Sequence, residues 1–268
     1  MTNSGEIAER VRNGQPLDHI PVVDFHCHLG ASSEYYYIPR SGPGQVAQHM
    51  DRFGIDHAVT FCIDTTSDVA AGNRLQYEAT EALPERFSAL TMLHAGFPQD
   101  WAALLEEGHR RGSRGIKLIS QYQGASEHCI DWSPVLEFAR DKGWAVLHHQ
   151  WGSAERLEHW ARSFPEVVFV IGHADGLPYA GVVGKYENVY QCTCACFVVG
   201  PFATVQGLRA VMPAEKILYG SDALDLDFGT GIGPIALSDL PEREKELILG
   251  GNALSVMERL RWPVLSQQ

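Results

Sequence analysis

The sequence predicts a single domain of the α/β class, a closed (β/α)8 barrel spanning residues 1–268, and three observations support that expectation. Eight short apolar runs of strand character alternate with helix-like segments along most of the chain. A length of 268 residues with 45% hydrophobic and 20% charged residues suits one large globular core. No Gly-x-Gly-x-x-Gly follows the first run, which weakens the rival reading of an open, doubly wound, nucleotide-binding sheet.

The chain starts with a short amphipathic stretch carrying Ile7, Ala8 and Val11. Strand-like runs then fall at 22–29, 58–63, 87–93, 115–119, 145–149, 167–171, 189–194 and 217–219. Between them, stretches such as 101–105, 134–139 and 157–160 space their apolar residues for helices, with start signals at Asp131 and Ser153. The stretch 241–260 reads as a closing helix that Gly250-Gly251-Asn252 should split or break. Two stretches read as long loops. Residues 30–45 follow the first strand and carry Tyr35, Tyr36, Tyr37 and Arg40; residues 224–238 follow the last and carry Asp225, Asp227 and several glycines. Both should emerge at the C-terminal rim, where barrels keep their chemistry. There is no internal repeat beyond this rhythm, no low-complexity tract and no linker.

A formal charge of −12 works against nucleic acid or an anionic membrane as partner, so a small-molecule substrate is expected. No apolar run approaches the roughly 20 residues of a membrane span, and residues 1–13 are polar, which points to the cytoplasm. Of the six cysteines, Cys27, Cys62, Cys192 and Cys194 sit in strand-like runs, so all six are expected as reduced thiols. Assembly as a homodimer is compatible with the sequence.

The polar residues at the ends of these strands matter most. They read His26/His28, Asp64, His94, Lys117, His148/His149, His173 and Ser221/Asp222. Residues i and i+2 of a strand share a face, so His26 and His28 offer two imidazoles to one ion. The fifth strand offers one more; alternation allows only one of His148 and His149 to face inward and leaves open which. Asp222 can complete a mononuclear divalent site and take a proton from water, with His173 as base or water-orienting group. Lys117, if it faces the pocket, offers a positive charge to a substrate carboxylate.

Each residue also has a plainer reading. His-x-His can be two ordinary histidines at a strand end, Asp222 can cap a helix, and Lys117 can pair with a neighbouring carboxylate. His94 is expected as a satisfied rim residue, and His49, His109 and His159 as solvated or structural helix residues. Cys192, Cys194 and Cys196, at i, i+2, i+4 of one extended strand, would span too far for one ion and are expected as small packing residues.

Six motifs in order resemble the amidohydrolase superfamily, in its branch related to aminocarboxymuconate-semialdehyde decarboxylase. They are Asp24-Phe25-His26-Cys27-His28, Gly115-Ile116-Lys117-Leu118, His149-Gln150-Trp151, Gly172-His173-Ala174-Asp175-Gly176, Tyr219-Gly220-Ser221-Asp222 and Gly250-Gly251-Asn252-Ala253. The resemblance implies a TIM barrel in which His26, His28, His149 and Asp222 bind one divalent metal ion, usually zinc. It selects His149 over His148, gives His173 the metal-bound water to orient or deprotonate, and does not make Lys117 a carbamylated bridge. The chain departs from the pattern at Ala174 and Asp175, where the family has glycine.

The expected activity is metal-dependent hydrolysis of a small carboxylated molecule, with Lys117, Arg40 and Tyr36 as substrate-binding candidates. Decarboxylation by the same branch is the alternative, and a catalytically silent ligand-binding barrel a further one. A nuclease on a similar barrel is disfavoured by the acidic charge.

Overall fold

The computed structural model describes residues 5–32, 38–63, 68–173, 177–195 and 204–262, with backbone alone for 31–32 and 38–41. Eight parallel strands follow one another in chain order: β1 (Val23–Ser32), β3 (His57–Cys62), β4 (Phe87–Met92), β5 (Gly115–Leu118), β6 (Ala145–His148), β7 (Val168–Ile171), β8 (Val189–Cys192) and β9 (Ile217–Leu218). A short strand, β2 (Ile38–Ser41), pairs antiparallel with β1. The first and last strands meet through backbone hydrogen bonds: Phe25 N–H donates to Tyr219 O at 2.9 Å, Asp222 N–H to His26 O at 2.9 Å, and His28 N–H to Ala223 O. These bonds bring the sheet round into a nearly closed (β/α)8 TIM barrel.

Between strands run α2 (Pro43–Phe53), α3 (Val69–Ala82), α4 (Trp101–Arg110), α5 (Ser133–Lys142), α6 (Ala154–Ser163), α7 (Ala180–Lys185) and α8 (Val205–Val211), with α1 (Glu6–Arg12) preceding them. Ser153 caps α6 by accepting from Arg156 N–H at 3.3 Å. Asp131 sits one residue outside the cap of α5, accepting from Ser133 N–H at 2.9 Å.

Strand alternation sorts the core into two buried clusters. One gathers Val59, Phe61, Leu90, Met92, Leu147, Val168 and Val170; the other takes the intervening Ala58, Ile116, Leu118, Val146, Phe169 and Ile171 together with helix-side residues Trp132, Val135, Leu157 and Trp160. Lys117 falls in phase with the first set, and His148 with the second. That phase decides what each can reach.

Two expectations need correcting. The 30–45 stretch is not all loop: β1 runs on to Ser32 and β2 returns along it as an edge strand, where Pro39 costs no ladder bond. The 224–238 stretch holds a helix, α9 (Phe228–Ala236), capped by Asp227 accepting from Gly229 N–H at 2.8 Å. Burial of Phe228, Ile232 and Ile235 overrides the poor propensity of its glycines and Pro234. The closing segment is interrupted where expected: α10 (Glu242–Glu246) and α11 (Asn252–Arg259) are separate α-helices joined by a π-helical turn (Leu247–Gly251). Gly250 lies so close to the Pro21 carbonyl that no Cβ fits there.

Candidate metal centre

The site forms where β1 meets the residues after β9. Asp222 has a left-handed backbone (φ 63°), and its N–H is tied to His26 O. Gly220 permits this approach, since a Cβ there would lie 2.7 Å from His26 Cβ. Asp222 Oδ1 sits 2.9 Å from His28 Nε2 and 3.2 Å from His26 Nε2.

The His28 contact is informative. Its Nδ1 lies 3.3 Å from Cys62 O, which can only accept, so Nδ1 carries the proton. With Nδ1 so engaged, the 2.9 Å contact between His28 Nε2 and Asp222 Oδ1 needs either a proton or a cation between the two atoms. Donors about 2.0–2.1 Å from a tetrahedral zinc sit about 3.3 Å apart, close to the spacing of each imidazole from the carboxylate oxygen. His26 Nδ1 and His149 Nδ1 are buried with no hydrogen-bond partner among the described residues. The donor set therefore fits a first-row divalent cation.

His149 lies at the end of β6 and faces the same cleft, its ring centroid 4.0 Å from that of His173, which is 5.1 Å from that of His26. His148 turns the other way. Its Nε2 lies 2.8 Å from Glu127 Oε2, and Glu127 also accepts from Trp132 Nε1 at 2.7 Å and Ser120 Oγ at 2.9 Å. The cleft is lined by His26, His28, His149, His173, Lys117, Asp222, Asp225, Tyr122, Ile63 and Ile119.

Burial sets the electrostatics. It drives His26 and His149 well below the usual imidazole range, helped by Lys117, and takes His173 down to about 4. Burial opposes ionisation of Asp222, but hydrogen bonds from His26 and His28 hold its carboxyl well below the usual range. Burial likewise lowers Lys117 to about 8; its Nζ has no hydrogen-bond partner among the described residues and stands 4.2 Å from the Phe61 ring centroid. The expected alternative of a paired lysine is not what is found. Nor does Asp222 cap a helix, since Asp227 does that.

Tyr36 lies outside the described residues, as do Tyr35, Tyr37, Asp64, Ala174, Asp175 and Cys196, and the Arg40 side chain is not described. His94 sits on the rim, its Nδ1 accepting from Gly96 N–H at 3.1 Å.

Sequence reasoning missed two residues. Asp24 is fully buried beneath the site; its Oδ1 accepts from His26 N–H at 3.0 Å and Ser221 N–H at 3.1 Å, and its Oδ2 accepts from Ser221 Oγ. Burial raises it to about 7 against those hydrogen bonds. Its place two residues before His26, on the same strand, was the available signal. Cys194 is the other: its Sγ is 3.7 Å from His173 Nδ1, and the donor atoms of His26, His173, Cys194 and Asp222 all lie within 4.8 Å of one another. It is buried in the core, as expected of a packing residue, but β8 stops at Cys192 and leaves Cys194 on the turn that follows rather than within the strand.

Solved structures of like fold include 5-carboxyvanillate decarboxylase from Sphingomonas paucimobilis, at 15% identity over 89% of this chain and 99% of that one, with TM-score 0.65. Another is 4-oxalomesaconate hydratase from Rhodopseudomonas palustris, at 18% identity over 90% and 96%, TM-score 0.65. A third is a Pseudomonas putida protein assigned as a 2-pyrone-4,6-dicarboxylic acid hydrolase, at 20% identity over 90% and 98%, TM-score 0.64. No curated protein matches the chain in a sequence search. The sequence profile of the family described as Amidohydrolase matches residues 23–258, nearly the whole barrel. The chain therefore belongs to the amidohydrolase family of metal-dependent enzymes.

Proposed function

We propose that the chain hydrolyses a small carboxylated molecule, with Lys117 holding the substrate carboxylate and His173 and Asp222 handling the proton of the attacking water. The observation that carries this reading is the buried Lys117 ammonium, without a hydrogen-bond partner among the described residues, on the wall of the cleft that His173 and Asp222 also line. A charge placed there without a partner is costly unless a ligand brings the counter-charge. His26, His28, His149 and Asp222 would hold a divalent ion, most simply zinc, which supplies Lewis acidity and makes a water easier to deprotonate. With its pKa near 4, His173 is neutral at physiological pH and so is free to accept a proton. Tyr122, 44% exposed with its ring 4.9 Å from that of His149, offers a planar face to substrate; Ile63 and Ile119 supply apolar wall. Arg40 and Tyr36 remain substrate-binding candidates on sequence grounds.

Decarboxylation is the second reading, and the lowered pKa of Lys117 favours it. An ammonium near 8 can deliver a proton to carbon as the C–C bond electrons stay behind on loss of carbon dioxide. The same proposal takes the chain as one domain working in the cytoplasm on a small molecule, not on nucleic acid or membrane, with a homodimer compatible. Among the described residues no helix is long and apolar enough to cross a membrane, and Cys27, Cys129 and Cys194 are unbridged thiols.

The test is to load chelator-stripped protein with zinc and screen lactones, amides and aromatic carboxylates in ¹⁸O-water. Metal-dependent turnover with heavy oxygen in the product is expected. Carbon dioxide release without heavy oxygen moves the assignment to the second reading, and no metal-dependent turnover in any class overturns both.

A further inference from the structure

We propose that Cys194 is a thiolate ligand of the metal centre, making it a mixed nitrogen, oxygen and sulfur site that prefers zinc or cobalt to manganese or magnesium. The inference rests on the reading of this cleft as a metal centre and adds to it a donor that the sequence pattern does not supply.

Geometry carries it first. The Sγ stands 3.7 Å from His173 Nδ1, which places the thiol inside the cleft beside the group that handles the proton of water. The donor atoms of His26 and Asp222, two of the proposed ligands, lie within 4.8 Å of that sulfur, near enough for one ion to reach all three after shifts of about 1 Å.

The chain path is the second point. Beyond Cys192 the strand gives way to a turn: Cys194 N–H points to Cys192 Sγ at 3.4 Å and Ala195 follows with a left-handed backbone (φ 60°). The turn sets the buried thiol against His173 and beside Asp222. The third point is that, among the described residues, no hydrogen-bond partner meets the Nδ1 atoms of His26 and His149, both buried in this cleft. On ligation the thiol proton leaves to solvent and the sulfur supplies the electron pair.

Cobalt distinguishes the possibilities. Titrating chelator-stripped protein with Co²⁺ under anaerobic conditions should give the visible d–d bands of bound cobalt together with a near-ultraviolet thiolate-to-cobalt charge-transfer band. Cys194→Ser should keep the d–d bands, lose the charge-transfer band and bind cobalt weaker by at least the roughly 10- to 100-fold that losing an outer-shell partner costs. Cys192→Ser should keep both features. Should Cys194→Ser fail to fold, zinc-edge X-ray absorption of the unaltered protein decides, a sulfur neighbour at about 2.3 Å being expected. Cobalt bound without the charge-transfer band, or a zinc shell without sulfur, overturns the ligand role of Cys194 and leaves the histidine and aspartate site standing. No cobalt spectrum at all overturns both.

Discussion

Replacing Lys117 with methionine should stabilise the fold and weaken substrate recognition together. The side chain is 1% exposed and its ammonium has no hydrogen-bond partner among the described residues, while burial lowers it from 10.5 to about 8. A fall of about 2.5 units at about 1.4 kcal/mol each puts the burden of that buried charge near 3 kcal/mol at pH 7. The sign follows from counting protons. Below about pH 8 both states hold the proton and the burden is full; between about 8 and 10.5 the unfolded chain binds more, so stability rises with pH. Methionine keeps the length and packing without the charge. The variant should therefore gain roughly 3 kcal/mol at pH 7, about 6 °C in midpoint for a chain of this size, and lose the alkaline rise. Urea unfolding of chelator-stripped protein at neutral pH and at about pH 9.5 measures both effects. In the zinc-loaded protein, kcat/KM should fall about 10- to 100-fold with loss of the charge-assisted contact. A variant no more stable than the parent at pH 7 would show that the ammonium is already paired, and the case for an awaiting carboxylate would go with it.

Other substitutions follow from the same geometry. His149→Ala should abolish stoichiometric metal uptake, whereas His148→Ala should keep the ion and instead cost about 1–3 kcal/mol by leaving Glu127 short of a donor; elemental analysis and urea unfolding separate the two. Because the folded pKa of His173 lies near 4, the unfolded chain takes up its proton first as pH falls from about 6.5, and apo-protein stability should drop between there and 4, read as the unfolding midpoint against pH. Asp24→Ala strands the His26 and Ser221 N–H groups and should cost about 2–5 kcal/mol, while Asp24→Asn keeps an acceptor and should cost less than half as much in the same assay. Gly250→Ala forces a methyl against the Pro21 carbonyl and should destabilise by about 1–3 kcal/mol.

Much of the barrel could be read in the chain because each strand announces itself: runs such as Val167 to Ile171 are continuous apolar segments, as a sheet buried on both faces requires. The elements that escaped were those where local signal opposes tertiary context. In α9, three glycines and a proline read as loop until Phe228, Ile232 and Ile235 find the core. The site divides similarly. His26, His28 and Asp222 are visible because their motifs sit at strand ends, and barrel closure then brings each imidazole to within 3.2 Å of the carboxylate. The choice between His148 and His149 needs the phase of β6, set by its pairing of Leu118 with His148 and by Glu127 waiting on the helix side. Cys194 could not be separated from a packing residue without knowing that β8 ends two residues earlier. Glu127, in a short 3₁₀ segment between β5 and α5, gave no signal at all.

The account depends on one cation shared by His26, His28, His149 and Asp222. Metal stoichiometry of the folded protein after zinc loading and desalting, set beside that of Asp222→Ala, measures this most directly. One ion per chain, absent from a folded Asp222→Ala variant, is the expected result. A folded parent protein that retains no ion, or an Asp222→Ala variant that holds it as tightly as the parent, would contradict the account.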